Sequence, residues 1–307
     1  MKYLRVIDLR RYDISPLIYN KYSLKGDGNM ADKGDNSFSC RICASNSFKP
    51  FLRKNDYYLS TCQKCGLLQI VDDLSNIKFE DLYVEEFFKE AYDWLEKGNK
   101  GRRKEYEKFH HRMQEIEELY PDKGNILDIG CSYGFFLDVA RSRGWNPVGI
   151  EIGDYAATFA KTKLDLEVHN VDITYAKLLC NYFDVVTMWN VIEHLNDPAR
   201  VMRNINRILK KNGLVVFTTG DVLSYLRKLQ GAKWRSFIPP IHVTYFDNKS
   251  VTELLERTGF SVLSRSVALP RESLLKKIGL LEILKKAKFS DKMMIFASKK
   301  REIIIEQ

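Results

Sequence analysis

The sequence has no sign of a membrane-spanning or exported protein. No apolar run approaches the roughly 20 residues that a membrane helix needs, and the first 30 residues carry charges throughout, without the apolar core of a secretory signal. Internal repeats and low-complexity tracts are also missing. We therefore expect a cytoplasmic protein in which residues 1–35 are an N-terminal extension.

Cysteine, histidine and proline are scarce, at 6, 5 and 8 of 307 residues. The apolar share of 45% suffices for one large α/β domain and a smaller module. A net charge of +9 permits an anionic partner such as nucleic acid, a phosphorylated substrate or an acidic lipid surface, and it fits an ordinary basic protein equally well.

Four of the cysteines form two close pairs, Cys40 with Cys43 and Cys62 with Cys65, separated by 18 residues. This spacing is typical of zinc ligands, and four thiolates leave no open coordination position. We therefore predict a zinc ribbon over residues 36–70 with a structural Zn²⁺, and an iron–sulfur cluster is the weaker alternative. So short a module has little core, so the metal must supply stability.

Residues 71–123 are interpreted as a helical connector. Apolar residues at spacings of three and four predict an amphipathic helix from Arg102 to Tyr120, which Pro121 and Gly124 end. The residues of its apolar face are Tyr106, Phe109, Met113, Ile116 and Leu119.

Residues 124–300 alternate between strand and helix patterns. The strands include "NILDIG", "NPVGIEI", "LEVHNVD", "FDVVTMW" and "LVVFTTG", and the helices include "GFFLDVARSRG", "DYAATFAKTK" and "PARVMRNINRILKKNG". This alternation predicts an α/β fold with a doubly wound, mostly parallel sheet, whose ligands bind at the carboxyl ends of the strands.

The turn after the first of these strands contains Gly130, Ser132 and Gly134. A dinucleotide fingerprint has three glycines, whereas this turn has two. Asp128, just ahead of the turn, would repel a pyrophosphate but suits a ligand with an ammonium and a sulfonium. S-adenosylmethionine (SAM) carries both groups, so the charge balance favours SAM over NAD.

Two later acids also suit an adenosine ligand. Glu151 ends the second strand, 23 residues after Asp128, where a carboxylate can accept hydrogen bonds from both ribose hydroxyls. NAD enzymes use the same device, so Glu151 alone does not discriminate. Asp172 follows the third strand, and it either accepts from the adenine amino group or caps a helix.

Candidate catalytic groups follow the fourth strand. His194 in "NVIEHLNDP" could take a proton from a hydroxyl acceptor, and Glu193 could orient the ring or bind the acceptor. His242 in "PPIHVTYF" is the second candidate base. Three further side chains either line an acceptor pocket or pack in a loop: Trp234, Arg235 and Tyr245.

"ILDIGCSYGFFL", "GIEI" and "FDVVTMWNVIEHLNDP", in this order, resemble the motifs of class I SAM-dependent methyltransferases. The resemblance covers roughly residues 124–267. It implies a Rossmann-like sheet of seven strands with the last antiparallel, in which "GFSVLSRSVA" and "KMMIFASKK" are the final two strands. It also implies SAM binding by Asp128, Gly130, Ser132, Gly134, Glu151, Asp172 and Asn190.

The Glu-His pair resembles that of the ubiquinone-type O-methyltransferases, and some relatives that act on sugars also carry an N-terminal zinc ribbon. Two residues depart from the pattern: Ser132 stands where the family commonly has glycine, and Asn190 stands where some relatives have an acid. Acids near this pair are associated with a divalent metal in the ubiquinone-type enzymes. Asn190 therefore weakens the expectation of such a metal here.

The leading hypothesis is a SAM-dependent methyltransferase that methylates a small molecule or glycan, with oxygen as the methylated atom. The alternatives are an RNA methyltransferase whose ribbon grips RNA, and a SAM-binding zinc scaffold without catalysis. Leu274, Ile278 and Leu281 align on one helical face of the basic segment "SLLKKIGLLEILKKAKF". This face either packs on the protein or rests on an acidic lipid surface that holds a lipid-linked acceptor.

Overall fold

The computed structural model describes residues 38–77, 88, 99–267 and 290–303. The predicted N-terminal extension, residues 78–98 of the connector apart from residue 88, and the segment with Leu274, Ile278 and Leu281 lie outside the described residues. Within these ranges no helix has both the length and the apolar character needed to cross a membrane.

The strands in chain order are β1 (Phe48–Lys54), β2 (Tyr57–Cys62), β3 (Leu68–Ile70), β4 (Asn125–Ile129), β5 (Asn146–Ile150), β6 (Val168–His169), β7 (Phe183–Trp189), β8 (Leu209–Gly220), β9 (Thr244–Tyr245), β10 (Phe260–Val267) and β11 (Lys292–Lys299). The α-helices are α1 (Asn99–Leu119), α2 (Phe135–Ser142), α3 (Asp154–Leu164), α4 (Pro198–Ile208), α5 (Tyr225–Gln230) and α6 (Asn248–Arg257). Short 3₁₀ helices span Ile192–His194 and Gly231–Lys233.

The larger sheet has seven strands in the order β10-β11-β8-β7-β4-β5-β6. The pairs among β8, β7, β4, β5 and β6 are parallel, and β11 runs antiparallel to both β8 and β10. The predicted doubly wound, mostly parallel seven-stranded sheet is therefore confirmed.

Helices cover both faces of this sheet and form a separate core on each. Helices α1, α2 and α3 pack on one face, and α4 and α6 pack on the other. Met113 and Ile116 of the predicted apolar face of α1 are fully buried, whereas Leu119, the last residue of α1, is 42% exposed. The amphipathic pattern thus holds until the helix leaves the sheet.

Helix α4 ends at Ile208, whereas the sequence predicts a longer helix with Gly213 just past its end. Leu209 instead pairs with Phe183 of β7, and its carbonyl oxygen accepts a hydrogen bond from Lys299 Nζ at 2.8 Å. These tertiary contacts override the helical pattern of the local sequence. The fifth parallel strand consequently begins before the turn that contains Gly213.

The N-terminal module forms a second, antiparallel sheet in the order β1-β2-β3-β9. Asn55 and Asp56 turn the first hairpin with φ angles of 49° and 63°, as a two-residue hairpin turn favours. The fourth strand, β9, comes from the region after β8, about 175 residues along the chain. Contacts therefore cross the boundary that the sequence suggests at residue 70.

Candidate active site and candidate metal centre

The four paired cysteines meet in one buried cluster. Their sulfur atoms all lie within 4.8 Å of one another, with Cys40 Sγ 3.4 Å from Cys65 Sγ and Cys43 Sγ 3.6 Å from Cys62 Sγ. Zinc–sulfur bonds of about 2.3 Å place tetrahedral thiolates about 3.8 Å apart. A slight expansion of this cluster therefore fits a zinc ion with four sulfur ligands.

The two cysteine pairs sit on matching turns. The N–H of Ala44 donates to Cys40 O and the N–H of Gly66 donates to Cys62 O, each at 2.9 Å. Both residues have positive φ angles, 54° and 86°. This shared backbone shape turns both sulfurs of each pair toward one point, as a metal centre requires.

The turn between β4 and α2 brings bare backbone to the carboxyl edge of the sheet. Gly130, Ser132 and Gly134 have φ angles of 70°, 50° and 79°. A Cβ atom on Gly130 would lie 2.6 Å from Val191 Cγ2, and one on Gly134 would lie 2.6 Å from Leu166 Cδ1. Ser132 adopts the left-handed conformation that glycine favours, although it is not glycine.

Asp128 and Glu151 lie side by side beneath this turn, and both are buried. Asp128 accepts a hydrogen bond from Thr187 Oγ1 at 2.6 Å, while Glu151 accepts from Ser132 N at 2.8 Å and from Gly153 N at 2.7 Å. Burial, with a further contribution from the Glu151 charge, raises the pKa of Asp128 to about 8. Two crowded acids of this kind favour a cationic ligand.

Asp172 and Asn190 use their side-chain oxygens within the protein. Asp172 Oδ1 accepts from both the N–H and the hydroxyl of Thr174, each at 2.6 Å, within a turn; no helix begins at Asp172, so it is not a helix cap. Asn190 has a φ angle of 57°, and its Oδ1 accepts from Lys292 Nζ at 2.6 Å. Roles for both in SAM binding stay predictions.

The predicted catalytic residues form one cluster past the end of β7. Ligand-type atoms of Glu193, His194 and His242 lie within 4.8 Å of one another, and the two imidazole centroids are 4.6 Å apart, edge to face. His242 Nδ1 lies 2.8 Å from Ser236 O. The structure therefore brings together all three candidates.

Burial determines the protonation of this cluster. It lowers the pKa of His194 to about 4, and burial and the neighbouring His194 lower the pKa of His242 well below its usual value. Glu193 is 4% exposed, and its Oε2 has no hydrogen-bond partner among the described residues. Both imidazoles are thus neutral near pH 7 and can accept a proton, as weak bases beside a carboxyl group.

The side chains considered for an acceptor pocket are held in packing contacts. Trp234 is buried, and its Nε1 donates to Asp291 Oδ2 at 2.9 Å. Arg235 donates to both oxygens of the same carboxylate, at 3.0 and 3.1 Å. Tyr245 is also buried, with its ring 5.2 Å from that of Phe237. The packing alternative fits Trp234 and Tyr245.

Sequence reasoning missed three residues at this edge. Phe88 is buried against Tyr133, and its ring fills the space beside Gly153. The Arg112 guanidinium lies 4.3 Å from the Trp189 ring centroid, and Lys292 contacts Asn190. The position of Lys292 could have been predicted, because an antiparallel last strand brings its first residue to the carboxyl edge of the parallel strands.

Several buried polar atoms at this edge have no hydrogen-bond partner in the described part of the chain. They include Ser132 Oγ and Trp189 Nε1 as well as Glu193 Oε2. Buried polar atoms normally have partners, so this arrangement is typical of a binding site. The orphaned atoms, the glycine-containing backbone of the turn and the paired acids together fit SAM.

These features define a doubly wound domain with an adenosine-type ligand site. The sequence profile of a family described as "Methyltransferase domain" matches residues 99–265, more than half of the chain. The chain belongs to this family and is a class I SAM-dependent methyltransferase.

Relatives support the same assignment. The chain is 29% identical over 176 residues to a ubiquinone biosynthesis O-methyltransferase of Nitrosomonas europaea, covering 53% of this chain and 73% of the relative. It is 30% identical over 179 residues to the Pseudomonas aeruginosa protein of that name, covering 53% and 71%. A solved SAM-dependent methyltransferase of Clostridium acetobutylicum, 11% identical, matches with a TM-score of 0.50 over 64% of this chain and 92% of the other, which supports the fold alone.

Proposed function

We propose that this enzyme methylates a hydroxyl oxygen of a small molecule or glycan, with His194 as the base. The observation that carries the proposal is the cluster of Glu193, His194 and His242 just past β7. Val191, which begins the same segment, packs so near Gly130 of the SAM turn that a Cβ atom added there would lie 2.6 Å from its Cγ2. The base thus lies close to the expected methyl donor. The relatives named as O-methyltransferases support oxygen as the acceptor atom.

SAM supplies a methyl group on a positively charged sulfur. Asp128 and Glu151 would balance its positive charges, and Glu151 would accept from the ribose hydroxyls beside the backbone of Gly130–Gly134. Asp172 would approach the adenine through its second carboxylate oxygen. Asn190, just past the end of β7, would also contact the bound SAM. Because the leaving group is already activated, the protein's task is to position the acceptor and accept its proton.

We further propose that Zn²⁺ bound by the four cysteines stabilises the acceptor side of the site. Arg41, inside the first cysteine pair, donates to Asn196 O and Asn196 Oδ1, each at 3.1 Å. The N–H of Ile70 in β3 donates to Val243 O at 3.0 Å, and the N–H of Val243 donates to Glu193 O at 2.9 Å. The ribbon is therefore hydrogen-bonded to the segment that carries the catalytic cluster.

A screen with isotopically labelled SAM, read by mass spectrometry, tests the reaction. We expect His194→Ala to lower turnover by about 10²–10⁴-fold with little change in SAM affinity, because only proton acceptance is lost. His110→Ala, at an exposed position of α1, is the control. Near-normal turnover in His194→Ala would leave that histidine a structural role. SAM binding without turnover on any acceptor would favour the non-catalytic alternative.

A further inference from the structure

Lys292 places an ammonium group at the acceptor end of the site. It is the first residue of β11 and pairs with Gly220, the last residue of β8, so its side chain starts at the carboxyl edge of the parallel strands. Its Nζ donates to Asn190 Oδ1 at 2.6 Å. This hydrogen bond fixes the ammonium beside the segment that leads to Glu193 and His194.

Charged groups on several elements face this ammonium. Glu193 and Asp291 attract it, whereas Arg235 and Arg112 repel it. Asp291 is already paired with Arg235 through two hydrogen bonds. Glu193, a member of the catalytic cluster, is therefore the remaining acid that attracts the Lys292 ammonium.

The same ammonium acts on every member of that cluster. Burial raises the pKa of Glu193 and lowers the pKa values of His194 and His242; the positive charge of Lys292 opposes the first shift and adds to the other two. The ligand atoms of Glu193, His194 and His242 converge as metal ligands do. A divalent cation bound there would nevertheless meet the repulsion of the Lys292 ammonium, and Asn190 offers an amide where some relatives have an acid. The amide oxygen already accepts from Lys292. These residues therefore do not fit the divalent metal that the resemblance to ubiquinone-type enzymes suggests.

We propose that the Lys292 ammonium takes the electrostatic place of a divalent cation in the acceptor pocket, so that methyl transfer needs no such metal. The proposal rests on the proposed O-methyltransferase function. The hydroxyl proton passes to a ring nitrogen of His194, and an oxygen electron pair forms the bond to the methyl carbon. The carbon–sulfur bond breaks with its electron pair on sulfur. Lys292 stays protonated and stabilises the developing negative oxygen.

The preferred acceptor class follows from the same groups. His194 is a weak base, so it removes a proton most readily from an acidic hydroxyl, and a nearby ammonium lowers the pKa of that hydroxyl further. Phenolic or enolic hydroxyls meet this condition better than ordinary sugar hydroxyls do. We therefore expect phenolic acceptors to react faster than sugars.

Kinetics with catechol and 4-nitrophenol as probes test this role. The enzyme is desalted, its zinc content is measured, and activity is compared with and without added Mg²⁺. We expect no dependence on Mg²⁺, a loss in kcat of about 10²–10³-fold for Lys292→Met with unchanged SAM affinity, and a smaller loss for Lys292→Arg. Lys299→Met is the matched control, because Lys299 lies at the far end of β11 and donates to Asn181 Oδ1 at 2.9 Å. Full activity in Lys292→Met, or activity only after Mg²⁺ addition, would overturn the proposal.

Binding of Mn²⁺, followed by electron paramagnetic resonance, tests the same idea without turnover. Wild-type protein should leave Mn²⁺ free, and the double variant N190E/K292M, which adds an acid and removes the ammonium, should bind about one ion per chain. Stoichiometric Mn²⁺ binding by the wild type that His194→Ala abolishes would overturn the proposal. A lack of turnover with every probe, together with intact SAM binding and this Mn²⁺ result, would contradict the proposed reaction and leave the charge assignment standing.

Discussion

Replacing Glu151 with glutamine tests whether this carboxylate binds SAM and also supports the turn. Its oxygens accept from Ser132 N at 2.8 Å and from Gly153 N at 2.7 Å. Glutamine presents an NH₂ group to one of these donors, so one buried N–H loses its acceptor, at a cost of about 1–3 kcal/mol. The ribose hydroxyls lose a charged acceptor as well. We expect SAM binding to weaken by about 1–3 kcal/mol, or roughly 5–150-fold.

Two measurements separate these effects. Thermal unfolding without ligand should reveal the lost support of the turn, and titration calorimetry at a temperature where both proteins are folded should reveal the loss in SAM affinity. Glu167→Gln is the matched control, because the Glu167 side chain is 65% exposed and lies just ahead of β6. Unchanged SAM affinity in folded Glu151→Gln would refute the assignment, and NAD binding without SAM binding would refute the identity of the ligand.

Cys62→Ser should release the zinc and lower turnover. The control Cys180→Ser, at an exposed cysteine outside the cluster, should do neither. Metal analysis that finds no zinc in the wild type would contradict the ligation. Arg41→Ala removes two hydrogen bonds to Asn196 and should lower kcat up to about tenfold at constant SAM affinity; unchanged kcat would argue against the positioning role. Burial lowers the pKa of Lys292 to about 8, so raising the pH through 8 removes its charge and should lower kcat. Lys292→Arg, which stays charged, should abolish this loss. An identical fall in kcat at alkaline pH in both proteins would contradict the proposed role of the ammonium.

The local features were predictable because they depend on short stretches of chain. The strand "FDVVTMW" is buried nearly throughout, and it spans the predicted residues because a central parallel strand needs apolar residues on both faces. Glu193 and His194 follow it directly, so their place at the carboxyl edge follows from the strand. The two cysteine pairs likewise carry their own turns.

The long-range contacts were not predictable from one sequence. The pairing of Leu68 with Tyr245 joins two short strands whose register is set by packing between distant segments. Phe88 also lies outside any motif that marks a ligand site. An antiparallel last strand predicts that Lys292 lies at the carboxyl edge, but its hydrogen bond to Asn190 does not follow from the sequence. These residues gain their roles only from the tertiary arrangement.

Hydrogen bonds next to β9 link the ribbon sheet to the proposed catalytic cluster. Val243 accepts from Ile70 N on the ribbon side and donates to Glu193 O on the catalytic side. His242, the neighbouring residue, therefore cannot shift without disturbing both hydrogen bonds. A metal that only stabilised the ribbon would still influence the distance between the two histidine rings. We accordingly expect zinc loss to affect acceptor turnover more than SAM affinity, because Asp128 lies on β4 and Glu151 directly follows β5, and the ribbon sheet pairs with neither strand.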